Sequence, residues 1–520
     1  MKPTAKPTGR LTNTRFCLLP IAFAALLAGC GGGGGSPGVS SATPSSMTPT
    51  PTPSTTTPTP DTSKYLASQN FCAAPRSGID PFTGKGYPDK AGTLTDERTF
   101  LRGWIDQTYL WYKEVPSLNP LNYSTAIDYF NALKTPLMTA SGAAKDKYHF
   151  TYTTAEWNAL SGQGVELGYG ISWSRNTGAN IPRTWVASVV EPGSPAAAAG
   201  LRRGDKLLTV DGYDFVNGSD AATVDKINAG LFPEKANEIH RLTLDRNGTT
   251  IDVSLTALAV TSAPVKNTKT IDTPTGKVGY LTFDSHNEVS ERALIDSITT
   301  LKAAGVTDLV LDVRYNGGGL LFIASELAYM IAGPAQTSGK VFEKPIFNDR
   351  YADQPAYEFR STAYGFQTTV PAGTVLPTLN LKRVTLITTG DTCSASESII
   401  NSLRGVDVQV DLIGGQTCGK PYAFTPVDNC GTTYFAIQFQ GVNQKGFGDY
   451  ADGFAPTCTV ADDLQHAVGD TSEGLLAAAL QYRATGVCPV ASSSATAQAT
   501  TPLQMVRPFV SGLSIVRSAR

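Results

Sequence analysis

Histidine is scarce, basic clusters are missing, and no cysteine pair has metal-ligand spacing; each gap removes a class of function. The four histidines, His149, His240, His286 and His466, form no His-Glu-x-x-His pair, and no Gly-x-Ser-x-Gly elbow occurs. A Ser–His–Asp triad through His286 or His466 stays open on spacing alone. The absence of Cys-x-x-Cys removes the usual zinc pattern. The acidic stretches Phe447 to Asp452 and Asp462-Asp463 lack the regular carboxylate spacing of a calcium loop. No metal or cofactor is therefore expected. A net charge of −2, with 17% charged residues, leaves nucleic-acid binding without an electrostatic footprint. Beyond one apolar run near the start, no stretch is long enough to span a bilayer.

That run belongs to an export pattern. Met1 to Arg15 is basic and polar, and Phe16 to Gly29 is apolar, ending in Leu27-Ala28-Gly29-Cys30. A charged start, a short apolar core and small residues before a cleavage point describe a secretory signal. The terminal cysteine resembles the lipobox of bacterial lipoproteins, which implies lipidation at Cys30 and an anchor in the cell envelope, at the outer membrane or periplasm. Gly31 to Gly35 and the Thr/Pro/Ser run to about Ser63 cannot bury a core and read as a linker. With Cys17 lost in the signal, six of the eight cysteines remain for an oxidising compartment: Cys72, Cys393, Cys418, Cys430, Cys458 and Cys488. Up to three disulfides are expected. The pairing read here joins Cys72 to Cys488, Cys418 to Cys430 and Cys393 to Cys458.

The chemistry-bearing stretch is Thr392-Cys393-Ser394-Ala395-Ser396-Glu397, followed 26 residues after Ser394 by the lysine of Thr417-Cys418-Gly419-Lys420. Val384 to Thr388 reads as a buried strand, Ile399, Ile400 and Leu403 mark one helical face, and Val408 to Ile413 reads as the next strand. Ser394 then stands at a strand's carboxyl end, where open α/β sheets place their chemistry. A serine beside a neutral lysine is a nucleophile with a base. Ser394-x-x-Glu397 is equally a helix capping box, and Cys393 is a second candidate nucleophile. Upstream, Thr307 to Val313 is a nearly continuous apolar strand ending in Arg314-Tyr315-Asn316-Gly317-Gly318-Gly319, before a helix over Leu320 to Met330. Glycines there let main-chain N–H groups converge on one point, as an oxyanion needs. No Gly-Lys-Ser/Thr follows, which disfavours a phosphate loop.

The order of PDZ-like segment, Asp-x-Arg-x-Asn-Gly-Gly turn, Ser-Ala-Ser-Glu and Gly-Lys resembles the carboxy-terminal processing (tail-specific) proteases over roughly Leu94 to Gln481. The resemblance implies an α/β fold with a ClpP/crotonase-like protease core, an inserted or preceding PDZ domain and a small N-terminal helical domain. It implies Ser394 as nucleophile, Lys420 as general base, Gly317, Gly318 and the Ala395 amide as oxyanion hole, and Glu397 and Thr417 as supporting residues. Leu167, Gly168, Tyr169 and Gly170 match the loop that receives a peptide's terminal carboxylate. The implied activity is serine endopeptidase action on exported proteins with exposed C-terminal tails; the alternative is an inactive peptide-binding lipoprotein on the same scaffold. Two departures stand out. Family members carry Gly-Lys-Gly and a glutamine four residues after the lysine, where this chain has Lys420-Pro421 and Phe424. The Ser-to-Lys spacing is also one residue longer, with Asp407 the nearest counterpart of a helper acid.

The expected division is signal 1–30, linker 31–63, helical domain 64–154, PDZ domain 155–262, peptidase core 263–490 and a flexible tail 491–520. Aromatics between Phe100 and Phe130 are read as the helical domain's core. Tyr422, Phe424 and Ile413 are the expected apolar surroundings of Lys420. Met505 to Val516 stays open between a strand and an internal PDZ ligand.

Overall fold

The computed structural model describes residues 63–139, 141–176, 181–490, 503–506 and 513–515. The signal, Cys30 and most of the linker lie outside the described residues.

The main helix of the N-terminal region, Leu94–Thr108, starts where it does because Thr93 and Asp96 cap each other's backbone N–H groups. One face buries Phe100, Leu101, Trp104 and Ile105, which pack with Tyr109, Tyr129 and Phe130 around the short helix Ala126–Ala132. The aromatics are core, as their spacing suggested. The cluster also takes in Cys393, Tyr434 and Ile437 from the far end of the chain, so this region packs directly onto the peptidase core. The strand Phe150–Thr153 deepens the attachment by pairing antiparallel with Thr432–Phe435.

The PDZ region is an antiparallel sheet in the order Thr249–Thr256, Ile239–Arg246, Lys206–Val210, Trp185–Val190, Ile171–Arg175. Trp173, Trp185, Leu207, Leu242, Leu244 and Leu255 fill its interior. The short pair Val165–Gly168 and Leu258–Thr261 closes its neck.

The peptidase region is built on a six-stranded sheet in the order Val265–Thr273, Gly276–Phe283, Asp308–Asp312, Arg383–Thr388, Gln409–Gly414, Cys458–Thr459. Only the first pair is antiparallel. The central parallel strands Asp308–Asp312 and Arg383–Thr388 are almost wholly buried, which is why they read as largely apolar runs. Helices Ser290–Ala303, Leu321–Ala332, Ala395–Gly405 and Gly474–Thr485 cover them. The carboxyl ends of Asp308–Asp312 and Arg383–Thr388 lie side by side in this sheet, and both the glycine turn and Ser394 follow from them.

The expected cysteine pairing needs correction. The cysteines that stand at bonding distance are Cys72 and Cys430, Cys393 and Cys418, and Cys458 and Cys488, with Cα separations of 5.4, 5.2 and 5.5 Å. The pairing anticipated from sequence fails because backbone contacts between the loops, which spacing does not show, set which cysteines meet. The Asn70 amide donates to Asn429 Oδ1 at 2.7 Å, drawing Cys72 to the hairpin turn that holds Cys430. The Cys418 amide donates to the Thr392 carbonyl at 3.0 Å, drawing the loops that carry Ser394 and Lys420 together. In the tail, read as flexible with Met505 to Val516 left open, the described segments Gln504–Val506 and Leu513–Ile515 are strands, each paired with the body of the protein.

Candidate active site

The loop from Thr388 to Ser394 is stitched to the glycine turn. Thr392 Oγ1 donates to the Val313 carbonyl at 2.8 Å. The Asn316 carbonyl accepts both the Cys393 amide, at 3.0 Å, and Ser396 Oγ, at 3.1 Å. Asn316 also works through its side chain: Nδ2 donates to the Phe283 carbonyl at 2.9 Å, and Oδ1 accepts the Gly318 amide at 2.9 Å. At Gly319, where φ is 139°, a Cβ would come within 2.4 Å of the His286 carbonyl, so only glycine fits. Ser394 itself is fully buried and sits at φ 61°, ψ −115°. A non-glycine residue in that region is strained, and such strain clusters at functional turns.

Glu397 joins the two loops. Its Oε2 accepts the Ser394 amide at 2.9 Å and the Lys420 amide at 2.8 Å. Its Oε1 accepts Thr417 Oγ1 at 2.5 Å and the Gly419 amide at 2.9 Å. One oxygen therefore holds the Ser394 and Lys420 backbones within about 6 Å of each other. Burial pushes the Glu397 carboxyl up, opposed by these same hydrogen bonds. Four donors and no acceptor suit the ionised form, which only accepts. The Thr417 hydroxyl in turn accepts the Phe454 amide at 2.7 Å. The capping box read from sequence is thus present on the Glu397 side, and the same carboxylate also orders the lysine loop.

Lys420 is 1% exposed, with Nζ 4.0 Å from the centre of the Phe424 ring and 5.0 Å from that of Tyr148. Burial drives its amine well below the ordinary lysine value, and the charges of Asp146 and Glu397 oppose that shift without cancelling it. Phe424 is one of the expected apolar neighbours. Tyr148, from the helical region, is not, and its hydroxyl also fixes the lysine loop by donating to the Gly419 carbonyl at 3.0 Å. Ile413 packs elsewhere, with Val278, Tyr280 and Val310, and Tyr422 stacks edge-on against Trp111. Asp146 accepts the Tyr109 hydroxyl at 2.6 Å. Burial works against its charge, but the His149 ring nitrogen 3.5 Å away and the hydrogen bond from Tyr109 hold its carboxyl below the usual range.

Other candidates fall away on geometry. Asp407 is exposed and pairs with Lys445 at 2.5 Å; the acids whose charges reach the lysine are Asp146 and Glu397. His286 gives Nδ1 to Asn316 Oδ1 at 3.0 Å, and burial pushes its ring down to about 3, so it is neutral and has no carboxylate partner there. His466 is exposed and pairs with Asp463. Cys393 is bonded to Cys418, which removes it as a nucleophile and also removes both sulfurs as metal ligands beside Glu397. Asp462 is engaged by Arg203 at 2.8 Å and by Arg314 at 2.9 Å rather than open to a cation. On the PDZ side, Leu167 and Gly168 pair with Ala259 and Leu258. Tyr169 is buried with its hydroxyl on the Gly230 carbonyl at 2.9 Å, and Gly170, at φ 75°, turns the chain into Ile171–Arg175.

The molecule is an α/β core of the expected protease type, carrying a PDZ domain and an N-terminal helical domain. Residues 277–455 match the peptidase family S41 model, 186–227 a PDZ domain and 96–152 the peptidase S41 N-terminal domain. The chain therefore carries a peptidase family S41 domain together with a PDZ domain and a peptidase S41 N-terminal domain. A chloroplast C-terminal processing peptidase of Tetradesmus obliquus is 28% identical over 186 residues, covering 33% of this chain and 37% of that protein. A carboxyl-terminal-processing protease of a Picosynechococcus strain is 31% identical over 140 residues, covering 26% and 32%. The chain spans about a third of the length of these curated relatives. A crystal structure described as an S41 protease from Bacteroides fragilis superposes with a TM-score of 0.58 at 23% identity, covering 77% of this chain and 98% of that one, a likeness of fold.

Proposed function

We propose that this chain is a serine endopeptidase of the C-terminal processing type, using Ser394 as nucleophile and Lys420 as base. The observation that carries the reading is the single Glu397 oxygen bonded to both residues' amides, beside a buried amine whose charge is disfavoured. A free lysine, titrating near 10.4, is neutral in only about one molecule in 2,500 at pH 7. Desolvation against Phe424 and Tyr148 removes that handicap.

In this scheme Ser394 Oγ attacks the scissile carbonyl carbon as Lys420 Nζ takes its proton. The carbonyl oxygen becomes an oxyanion facing the Gly317 and Ala395 amides; the Gly318 amide is already engaged by Asn316 and shapes the cradle. Collapse breaks the C–N bond while Lys420 returns the proton to the departing amine. Water, deprotonated by the same lysine, then cleaves the ester and restores the serine. The Cys393–Cys418 bridge, flanking both residues, takes over the orienting task of the absent glutamine. Substrates are extended protein tails, delivered along the PDZ edge strand Ile171–Arg175 by strand addition. Cys30 carries a lipid that tethers the exported enzyme in the cell envelope. Among the described residues, no helix is long and apolar enough to cross a membrane.

The test is hydrolysis of casein by the wild type, Ser394→Ala and Lys420→Met. Both variants should lose turnover while keeping the wild-type circular dichroism spectrum. Wild-type rates in either one would end the dyad assignment.

A further inference from the structure

The tail beyond the peptidase region reaches both edges at which a peptide would be received. Gln504–Val506 adds to the PDZ sheet antiparallel to Ile171–Arg175, with Met505 opposite Ser174 and Val506 opposite Trp173. Val506 packs on the PDZ core. The Met505 amide turns the other way and donates to the Asp391 carboxylate, at 3.0 and 3.2 Å from its two oxygens. Asp391 is buried and stands three residues before Ser394, so one tail residue touches both the PDZ strand and the nucleophile loop.

Further along, Leu513–Ile515 pairs in parallel with Gly318–Leu320, with Leu513 opposite Gly318 and Ser514 opposite Gly319. The same segment lies against the helix Ala395–Gly405 and the strand Tyr422–Ala423. Those three elements carry the glycine turn, follow the nucleophile and follow the lysine. An extended chain among them occupies the space in which a scissile peptide must lie. The pairing at the PDZ edge is also internal: Val506 is 14 residues from Arg520. That edge therefore accepts a mid-chain strand without any terminal carboxylate, holding it through main-chain hydrogen bonds and one apolar contact.

We propose that residues 503–506 and 513–515 act as a ligand in cis, the first segment occupying the PDZ edge and the second the glycine turn, and hold the peptidase off. This rests on the endopeptidase reading above for its consequence, though not for the docking itself. A tethered segment acts at an effective concentration of millimolar order. A substrate must displace it by pairing with the same two edges, so extended, uncharged segments free of proline are the partners that fit.

The experiment keeps the full chain and substitutes Met505→Pro together with Ser514→Pro. Proline at 505 removes the N–H that donates to Asp391, and at 514 it interrupts the strand paired with Gly318–Leu320. In the Ser394→Ala background, a fluorescent synthetic peptide of residues 501–520 should bind the double-proline protein at least about tenfold more tightly than the unsubstituted tail protein. With Ser394 present, the double-proline enzyme should hydrolyse casein at least about fivefold faster. Equal peptide affinities would overturn the docking, and unchanged casein rates would overturn the inhibition. No hydrolysis by any version, with the affinity difference intact, would uphold the docked tail and remove the endopeptidase reading instead.

Discussion

Replacing Glu397 by glutamine tests the central joint of the site. The carboxylate accepts two donors on each oxygen: the Ser394 and Lys420 amides on one, the Thr417 hydroxyl and Gly419 amide on the other. A carboxamide has one acceptor oxygen, so whichever way it turns, its NH2 faces two donors. Each buried donor left without an acceptor costs about 1–3 kcal/mol, and the surviving bonds lose their charge assistance. The sum is a loss of about 3–5 kcal/mol, all in the contacts that bring the nucleophile and lysine loops together. Urea unfolding followed by tryptophan fluorescence at pH 7.5 measures it directly. Removing the Glu397 charge also removes one of the two charges that oppose the depression of Lys420. Any residual activity should therefore show its acidic limb at lower pH than the wild type. A stability loss below about 1 kcal/mol, with an unmoved pH profile, would refute the account of Glu397 as the joint.

Lys420→Met should abolish casein hydrolysis and yet raise the melting temperature at neutral pH, because a folded-state value far below that of the free amine means burial disfavours the proton there. A lower melting temperature would show that the amine is stabilised by its surroundings. Glu343 is buried and pushed up to about 7 by desolvation. The folded state then binds its proton more tightly than the unfolded state, so its contribution to stability is lost as pH rises from about 4.5 to 7, amounting to about 3 kcal/mol. Glu343→Gln should flatten that pH dependence, read from thermal melts at pH 5 and 8. Removing the Cys393–Cys418 bridge by paired serines opens a loop whose ends are 25 residues apart. It should cost about 3 kcal/mol of stability and lower turnover more than peptide binding, measured as a fall in kcat at similar KM.

Local chemistry made much of the fold legible. The buried run Asp308 to Val313, the glycine turn and the helix after it were readable because parallel strands buried on both faces are continuously apolar and because tight approaches demand glycine. The helix beginning at Ala395 was readable from Ile399, Ile400 and Leu403, all fully buried. Asn316 shows the limit. The motif drew attention to its position, but nothing in it disclosed that one asparagine binds the nucleophile loop, the Gly318 amide and His286 together. Tyr148 and Asp146 carried no signal at all, since the helical region gives no spacing that links them to a lysine some 270 residues away.

By itself the chain's sequence determined the order of its regions, the strand-to-turn-to-helix units and the residue types available for chemistry, because backbone preference and hydrophobic periodicity act over a few residues. Only the tertiary structure decided which cysteines bond, which rings strip water from Lys420 and where the tail lies. Each of those depends on surfaces separated by tens to hundreds of residues, such as Cys72 and Cys430, 358 apart. Such contacts arise from packing a whole core at once, and no short window of sequence encodes the distance between two parts of a folded chain.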